Sequence, residues 1–365
     1  MSELLRARTI LAGCVTALAL AACGGGGGGN DSPAPTSPPT GNSPNPNPAT
    51  PTPDPGSPTT PAPQPTTPTP DPSPPVLPNP LTPSPPVPDT PAAPGAPAVT
   101  GNIAVDGREW LNFRRSQVGM STLNQNSTIN MAAQNHSDYQ RLNNTITHDQ
   151  VAGRQGFTGV TVSDRLTAAG YVFNTSAARA YGEVISATSS GTGQYMAEEL
   201  ITAIYHRFVI FEPVFKEIGT GAATATNGRS YFTANFTANN GYGAGLGRGQ
   251  VAVWPYDAQT AVPRNFFSDT ESPDPVPNRN EVGYPISVHA NINVPVTVTS
   301  FTVRPRGGAD LATRLLSNAN DSHTGRSSAA IVPLQPLAAG TTYDVTFTGT
   351  ADGVAVTRSW SFTTR

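Results

Sequence analysis

The sequence predicts an α+β domain followed by an all-β region, both carried behind a long proline-rich arm. Three observations predict it. Of 365 residues, 35 are Gly and 39 are Pro, and these crowd into the part before residue 100. From Ile103 onward apolar residues recur at helical spacing and then give way to period-two alternation. From Pro285 to the end the alternation is of strand type, and such an order of patterns defines the class.

Composition narrows the function. Charged residues make up 12% of the chain and the net charge is −3. Binding to nucleic acid requires clustered Lys and Arg, so nucleic acid is not an expected partner. The only two cysteines are Cys14 and Cys23. The folded part therefore has neither a disulfide nor a thiolate metal site, and its stability must rest on an apolar core.

Residues 1–22 read as a secretory leader. Arg6 and Arg8 precede an apolar run, Thr9 to Leu20, that is too short to span a bilayer as a mature helix. The run ends in Leu20-Ala21-Ala22-Cys23-Gly24, which resembles the bacterial lipobox. The resemblance implies cleavage before Cys23, a thioether to diacylglycerol at Cys23, and a membrane partner through the lipid anchor. Gly24, in place of Asp, fits outer-membrane sorting in a Gram-negative host, with the protein surface-exposed or periplasmic.

Residues 23–99 form the arm. Gly24 to Gly29 is a glycine swivel, and the Pro, Thr, Ser and Asn that follow cannot bury enough surface to fold. Polyproline II rises about 3.1 Å per residue, so the arm is expected to be a disordered spacer that lifts the domain off a membrane.

Residues 100–240 carry the α+β pattern. Trp110, Leu111 and Phe113 sit in a helix closing at Gly119. A second helix is expected over Ser127 to Asn143, with Ile129, Ala132, Ala133, His136 and Gln140 on one face. A third begins at Ser163 as N-cap and stops at Gly170. A fourth runs from Gln194 to Arg207. Strands are expected over Lys216 to Ala222 and Ser230 to Phe236, joined by a turn at Asn227-Gly228.

These segments resemble, in order, the bacterial CAP superfamily (cysteine-rich secretory, antigen 5, pathogenesis-related 1; also SCP). The resemblance is carried by Ala132-Ala133-Gln134-Asn135-His136-Ser137, Thr147-His148, Asp164-Arg165, Gly182-Glu183-Val184-Ile185, His206-Arg207, Glu217-Ile218-Gly219-Thr220-Gly221 and Tyr231 to Phe236. It covers residues 104 to 238 and implies an α-β-α sandwich with a groove of histidines and acids. By position, His148 and His206 match the two groove histidines and Glu183 matches the first glutamate. The second glutamate falls at Ala203, so one acid is missing. Glu199 shares a helix face with His206 but lies about 10 Å from it along the axis.

Two imidazoles and a carboxylate, His148, His206 and Glu183, make an open Zn²⁺ ligand set. The alternative is that they hydrogen-bond one another and hold a loop. There is no His-Glu-x-x-His run and no Gly-x-Ser-x-Gly elbow. His136, on an apolar helix face, reads as a packed histidine bonded to backbone. Arg207 and Glu217 read as a buried ion pair.

Residues 241–279 read as a Gly- and Pro-rich connector with single aromatics, Trp254, Tyr256, Phe266 and Phe267, and as partly packed. In residues 280–365, Val294, Val296, Val298, Phe301 and Val303 alternate, as do Tyr343, Val345 and Phe347, and Asp352-Gly353 marks a hairpin. The close, Trp360, Phe362 and Thr364, resembles the last strand of bacterial Ig-like domains and implies a β-sandwich that supports or binds. His289 and His323 have no evident partners. The expected function is a cell-surface protein that binds a small apolar or peptide ligand, or a divalent metal, in the groove. A metal-dependent hydrolase of the envelope and an adhesion protein with a vestigial groove are the alternatives.

Overall fold

A computed structural model describes residues 95–365 and the backbone of residues 17–23. The rest of the expected leader, the stalk as far as residue 94 and the thiol of Cys23 lie outside the described residues.

The first domain is built on a sheet of β1 (Ala17–Cys23), β2 (Asn124–Gln125), β3 (Arg179–Thr188), β4 (Glu217–Thr224) and β5 (Ser230–Ala238), in the order β1-β3-β5-β4-β2. The central three strands are antiparallel. β1 and β2 add in parallel at the two edges, with Ala21 opposite Glu183. The helices are α1 (Ile103–Gln117), α2 (Ser127–Asn143), α3 (Val162–Ala168), α4 (Gly193–Thr202) and α5 (Ile204–Ile210).

Strand alternation sorts the helices into layers. Phe232, Ala234, Phe236 and Ala238 of β5 join one core with Trp110, Leu111, Met196, Leu200 and Ile204 of α1, α4 and α5. Thr233, on the other face, accepts from Ser137 of α2 at 3.0 Å. There Ile129 and Ala132 of α2 pack with Val162 and Leu166 of α3. The sheet therefore lies between α2/α3 and α1/α4/α5. The Gly219 and Gly221 positions set the spacing. A Cβ on Gly219 would lie 2.2 Å from the Ile129 carbonyl carbon, and one on Gly221 2.2 Å from the Gln134 nitrogen. Beyond short β2, Asn130 and Gln134 of α2 accept from the backbone N–H groups of Thr220 (2.9 Å) and Ala222 (3.1 Å), which would otherwise lack partners.

Three local expectations are corrected. The cap of α3 is Thr161, which makes a capping box with Asp164; Ser163 lies inside the helix. The helix expected over Gln194 to Arg207 breaks at Ala203, whose ψ of 122° is extended. Arg207 and Glu217 do not pair. Arg207 donates to the carbonyls of Ile201 (2.6 Å) and Pro285 (2.7 Å), whereas Glu217, on the α2 face, accepts from Tyr171 (2.6 Å) and Asn126 (2.8 Å). The sheet separates the two residues, although they are close in sequence.

The remaining chain forms two four-stranded sheets. One contains β6 (Ala252–Trp254), β10 (Ile286–His289), β12 (Thr313–Ser317) and β13 (Ser328–Pro333), in the order β12-β13-β10-β6. The other contains β7 (Gln259–Val262), β11 (Val296–Pro305), β14 (Thr342–Ala351) and β15 (Val354–Thr364), in the order β11-β14-β15-β7. β8 (Asn265–Phe267) and β9 (Glu281–Gly283) pair separately. Thus the stretch 241–279, expected as a connector, supplies a strand to each sheet. Its buried Val251, Val253 and Trp254 outweigh its glycines and prolines. Every residue of β10 and β13 is buried. Ser287 and His289 of β10 face α5, where the His289 ring meets Phe208 and Phe211 at 5.7 and 5.4 Å. The first domain and the β-rich region thereby share one apolar core.

Candidate functional site

Glu183 projects from β3 toward α2 and α3, and it is fully buried. Arg165 of α3 donates through one guanidinium nitrogen to both carboxylate oxygens, at 2.8 and 2.7 Å. The other terminal nitrogen of Arg165 donates to the carbonyls of His148 (2.6 Å) and Val160 (2.9 Å). The His148 Nδ1 lies 2.9 Å from Glu183 Oε1. An ionised carboxylate only accepts, so His148 donates from Nδ1. Burial alone would raise the Glu183 carboxyl. His136, Arg165 and His148 together overcome burial and hold it down at about 2. Of these, Arg165 supplies the lasting charge, because His136 stays neutral.

His136 is the packed histidine that its apolar face predicts. Its Nε2 donates to the Thr147 carbonyl at 2.8 Å and its Nδ1 accepts from Gln150 at 2.9 Å. Burial first, then Arg165 and His148, lower its pKa to about 4 against the pull of Glu183.

His206 is placed elsewhere. It lies in α5, on the opposite face of the sheet from Glu183, and its Nδ1 is 2.9 Å from Glu271 Oε1. Glu271 comes from the β-rich region, and its carboxylate also accepts from the backbone N–H groups of Ile204 (2.8 Å), Tyr205 (2.7 Å) and His206 (3.2 Å). This carboxylate caps α5 and explains the break at Ala203. Glu199 is bonded by Ser186 at 3.3 Å, again across the sheet from Glu183.

The three expected residues thus form two separate histidine–carboxylate pairs. Among the described residues, no group of three His, Cys, Asp or Glu could hold a metal ion. Glu183 has both oxygens engaged by Arg165, so the set does not fit a three-ligand zinc site. Several buried polar atoms have no partner: His148 Nε2, His206 Nε2, Arg165 Nε and both side-chain polar atoms of Asn235, which sits opposite Glu183 in the sheet. Such atoms mark where water or a ligand's polar groups would bind.

Along the same face of β3 lies a groove of about 490 Å³, lined by Ser163, Thr167, Tyr171, Phe173, Arg179 and Tyr181 among others. The Phe173 ring lies 5.0 Å from Tyr171 and 5.6 Å from Tyr181. Sequence reasoning missed Arg165 as the clamp on Glu183, although Asp164-Arg165 was among the matching segments. It missed Glu271 altogether, because no local pattern links that residue to α5.

A three-layer domain with a buried histidine–glutamate pair between its sheet and one helical layer is the class of protein that this fold and site define. Residues 109–236 match the family model of the cysteine-rich secretory protein family, CAP, so this chain carries a CAP domain there. Similar solved structures include an extracellular SCP-domain protein from Bacillus anthracis str. Ames. It is 22% identical, with 37% of this chain and 39% of that chain covered and a TM-score of 0.31. An outer surface protein from Borrelia burgdorferi is 16% identical, with 36% of this chain and 89% of that chain covered and a TM-score of 0.31. This chain therefore spans about two fifths of the first of these proteins. No curated protein matches. Among the described residues, no helix is long and apolar enough to cross a membrane.

Proposed function

We propose that this protein is an envelope-surface binding protein whose CAP domain takes a small, largely apolar ligand or peptide in the groove along β3. Cys23 would carry the lipid anchor, and the cleavage before it would take β1 off the edge of the sheet; the stalk would set the distance from the membrane, and the Ig-like β-rich region would hold the domain rigid. One observation supports binding over hydrolysis. Glu183 is spent on Arg165 and His148, and Glu271 on His206 and α5, which leaves neither of these carboxylates free to act as a general base. The aromatic groove beside them is of the size and character of small-molecule sites.

The test is a fluorescence titration of the full chain with neutral 2-naphthalenemethanol, beside Phe173→Ser. Saturable binding of one molecule per chain, weakened about tenfold or more in Phe173→Ser, is expected from lost aromatic packing. Absence of saturable binding would overturn the groove as the ligand site.

A further inference from the structure

We infer that the groove selects organic anions, with Arg179 as the anchor for the negative group and Phe173 and Tyr181 as the platform for an apolar body. This inference rests on the binding role proposed for the groove and adds the chemical class of its ligand.

Arg179, Tyr181 and Glu183 are alternate residues of β3, so their side chains line one face, with about 7 Å between successive positions. Glu183 already has its cation, since Arg165 is 2.7 Å from it. Arg179 has no counterpart. Among the described residues no carboxylate lies within ion-pair distance of it, and its Nη1 is buried without a hydrogen-bond partner. A guanidinium fork left open beside apolar rings is a site for a carboxylate or a similar planar anion, because its N–H groups can be satisfied in parallel. The other polar side chains in the groove wall, those of Ser163, Thr167, Thr175, Tyr171 and Tyr181, carry hydroxyls and no carboxylate.

The rings then decide the rest of the ligand. Phe173 and Tyr181 are half-buried and meet in a tilted contact. Tyr171 behind them is fixed by its hydroxyl on Glu217 and Thr237. A flat or elongated apolar body can lie on this wall while its charged end meets Arg179. A cationic ligand would meet Arg179 as a like charge.

The experiment compares three probes that share one ring system: 2-naphthoate, neutral 2-naphthalenemethanol and 2-naphthylmethylammonium. Each is titrated into the full chain, into Arg179→Met and into Arg179→Lys. Folding of each variant is checked by its urea midpoint. The naphthoate is expected to bind about tenfold tighter than the alcohol, and the ammonium more weakly than either. Arg179→Met should erase the preference for naphthoate over the alcohol, and Arg179→Lys should restore part of that preference. Equal affinity for naphthoate and the alcohol, with the alcohol still lost in Phe173→Ser, would overturn the anion inference and leave the groove reading standing. Failure of all three probes to bind would overturn both.

Discussion

Two buried glutamates in this molecule behave in opposite ways, and the reason is visible at the scale of single residues. Glu183 faces Arg165 and remains ionised, whereas Glu212 is buried among apolar groups and held at about 8. Burial raises Glu212, and the backbone N–H groups of Val214 and Ile292, with Arg115, only partly offset this. The unfolded chain releases the Glu212 proton above about 4.5, but the folded chain holds it until about 8. Stability is therefore lost as pH rises through that window. Glu212→Gln keeps an oxygen for Val214 and Ile292 and cannot ionise. Its stability relative to the natural chain should be near level at pH 4.5 and rise by on the order of 4 kcal/mol by pH 8, as read from urea unfolding at each pH. For Glu183 the sign is reversed. Its folded value is depressed to about 2 from 4.5, so its contribution is complete above 4.5 and disappears as pH falls toward 2. Glu183→Gln leaves the Arg165 charge buried and unpaired, and a loss of about 3–5 kcal/mol at neutral pH is expected in the same measurement.

At the scale of elements, the break between α4 and α5 shows what a sequence reveals and what it hides. Helical periodicity runs through Ala203 without interruption, and nothing local announces a stop. The carboxylate that starts α5 belongs to Glu271, which stands 65 residues beyond His206. The helix-period and strand-period segments were legible because their own side chains bury them. The two sheets drew β6 and β7 from a stretch that glycine and proline marked as a connector, because Trp254 lies against Phe211 at 5.3 Å. The site was legible in halves. His148 and Glu183 meet as the resemblance implied, while His206 is claimed by Glu271. Glu271→Ala removes an acceptor from three backbone N–H groups and from the imidazole. It should destabilise the full chain by about 2–4 kcal/mol, and Glu271→Gln by less, because the amide oxygen still accepts. Equal urea midpoints for Glu271→Ala and the natural chain would show that α5 does not need this cap.

At the scale of the whole molecule, the β-rich region is part of the same folding unit as the CAP domain. Arg207 reaches the Pro285 carbonyl and Ser287, the Ile292 N–H reaches Glu212, and α5 lies on β10. One core with these buried polar ties should melt as one. Calorimetry of the full chain is expected to show a single transition with matching calorimetric and van't Hoff enthalpies. A chain ending after Ala238 would expose Phe208, Phe211 and Ile210 and should not fold to a native state. Two separated transitions would contradict the shared core.

The separation of the two histidines is tested most directly by calorimetric titration of Zn²⁺ into the full chain, beside His148→Ala and His206→Ala variants of matched urea midpoint. His148 is closed on Glu183 and His206 on Glu271, on opposite faces of the sheet. No saturable one-to-one binding that either substitution removes is then expected. Stoichiometric binding lost in both variants would show that His148 and His206 meet at one metal, and would contradict the two-pair arrangement.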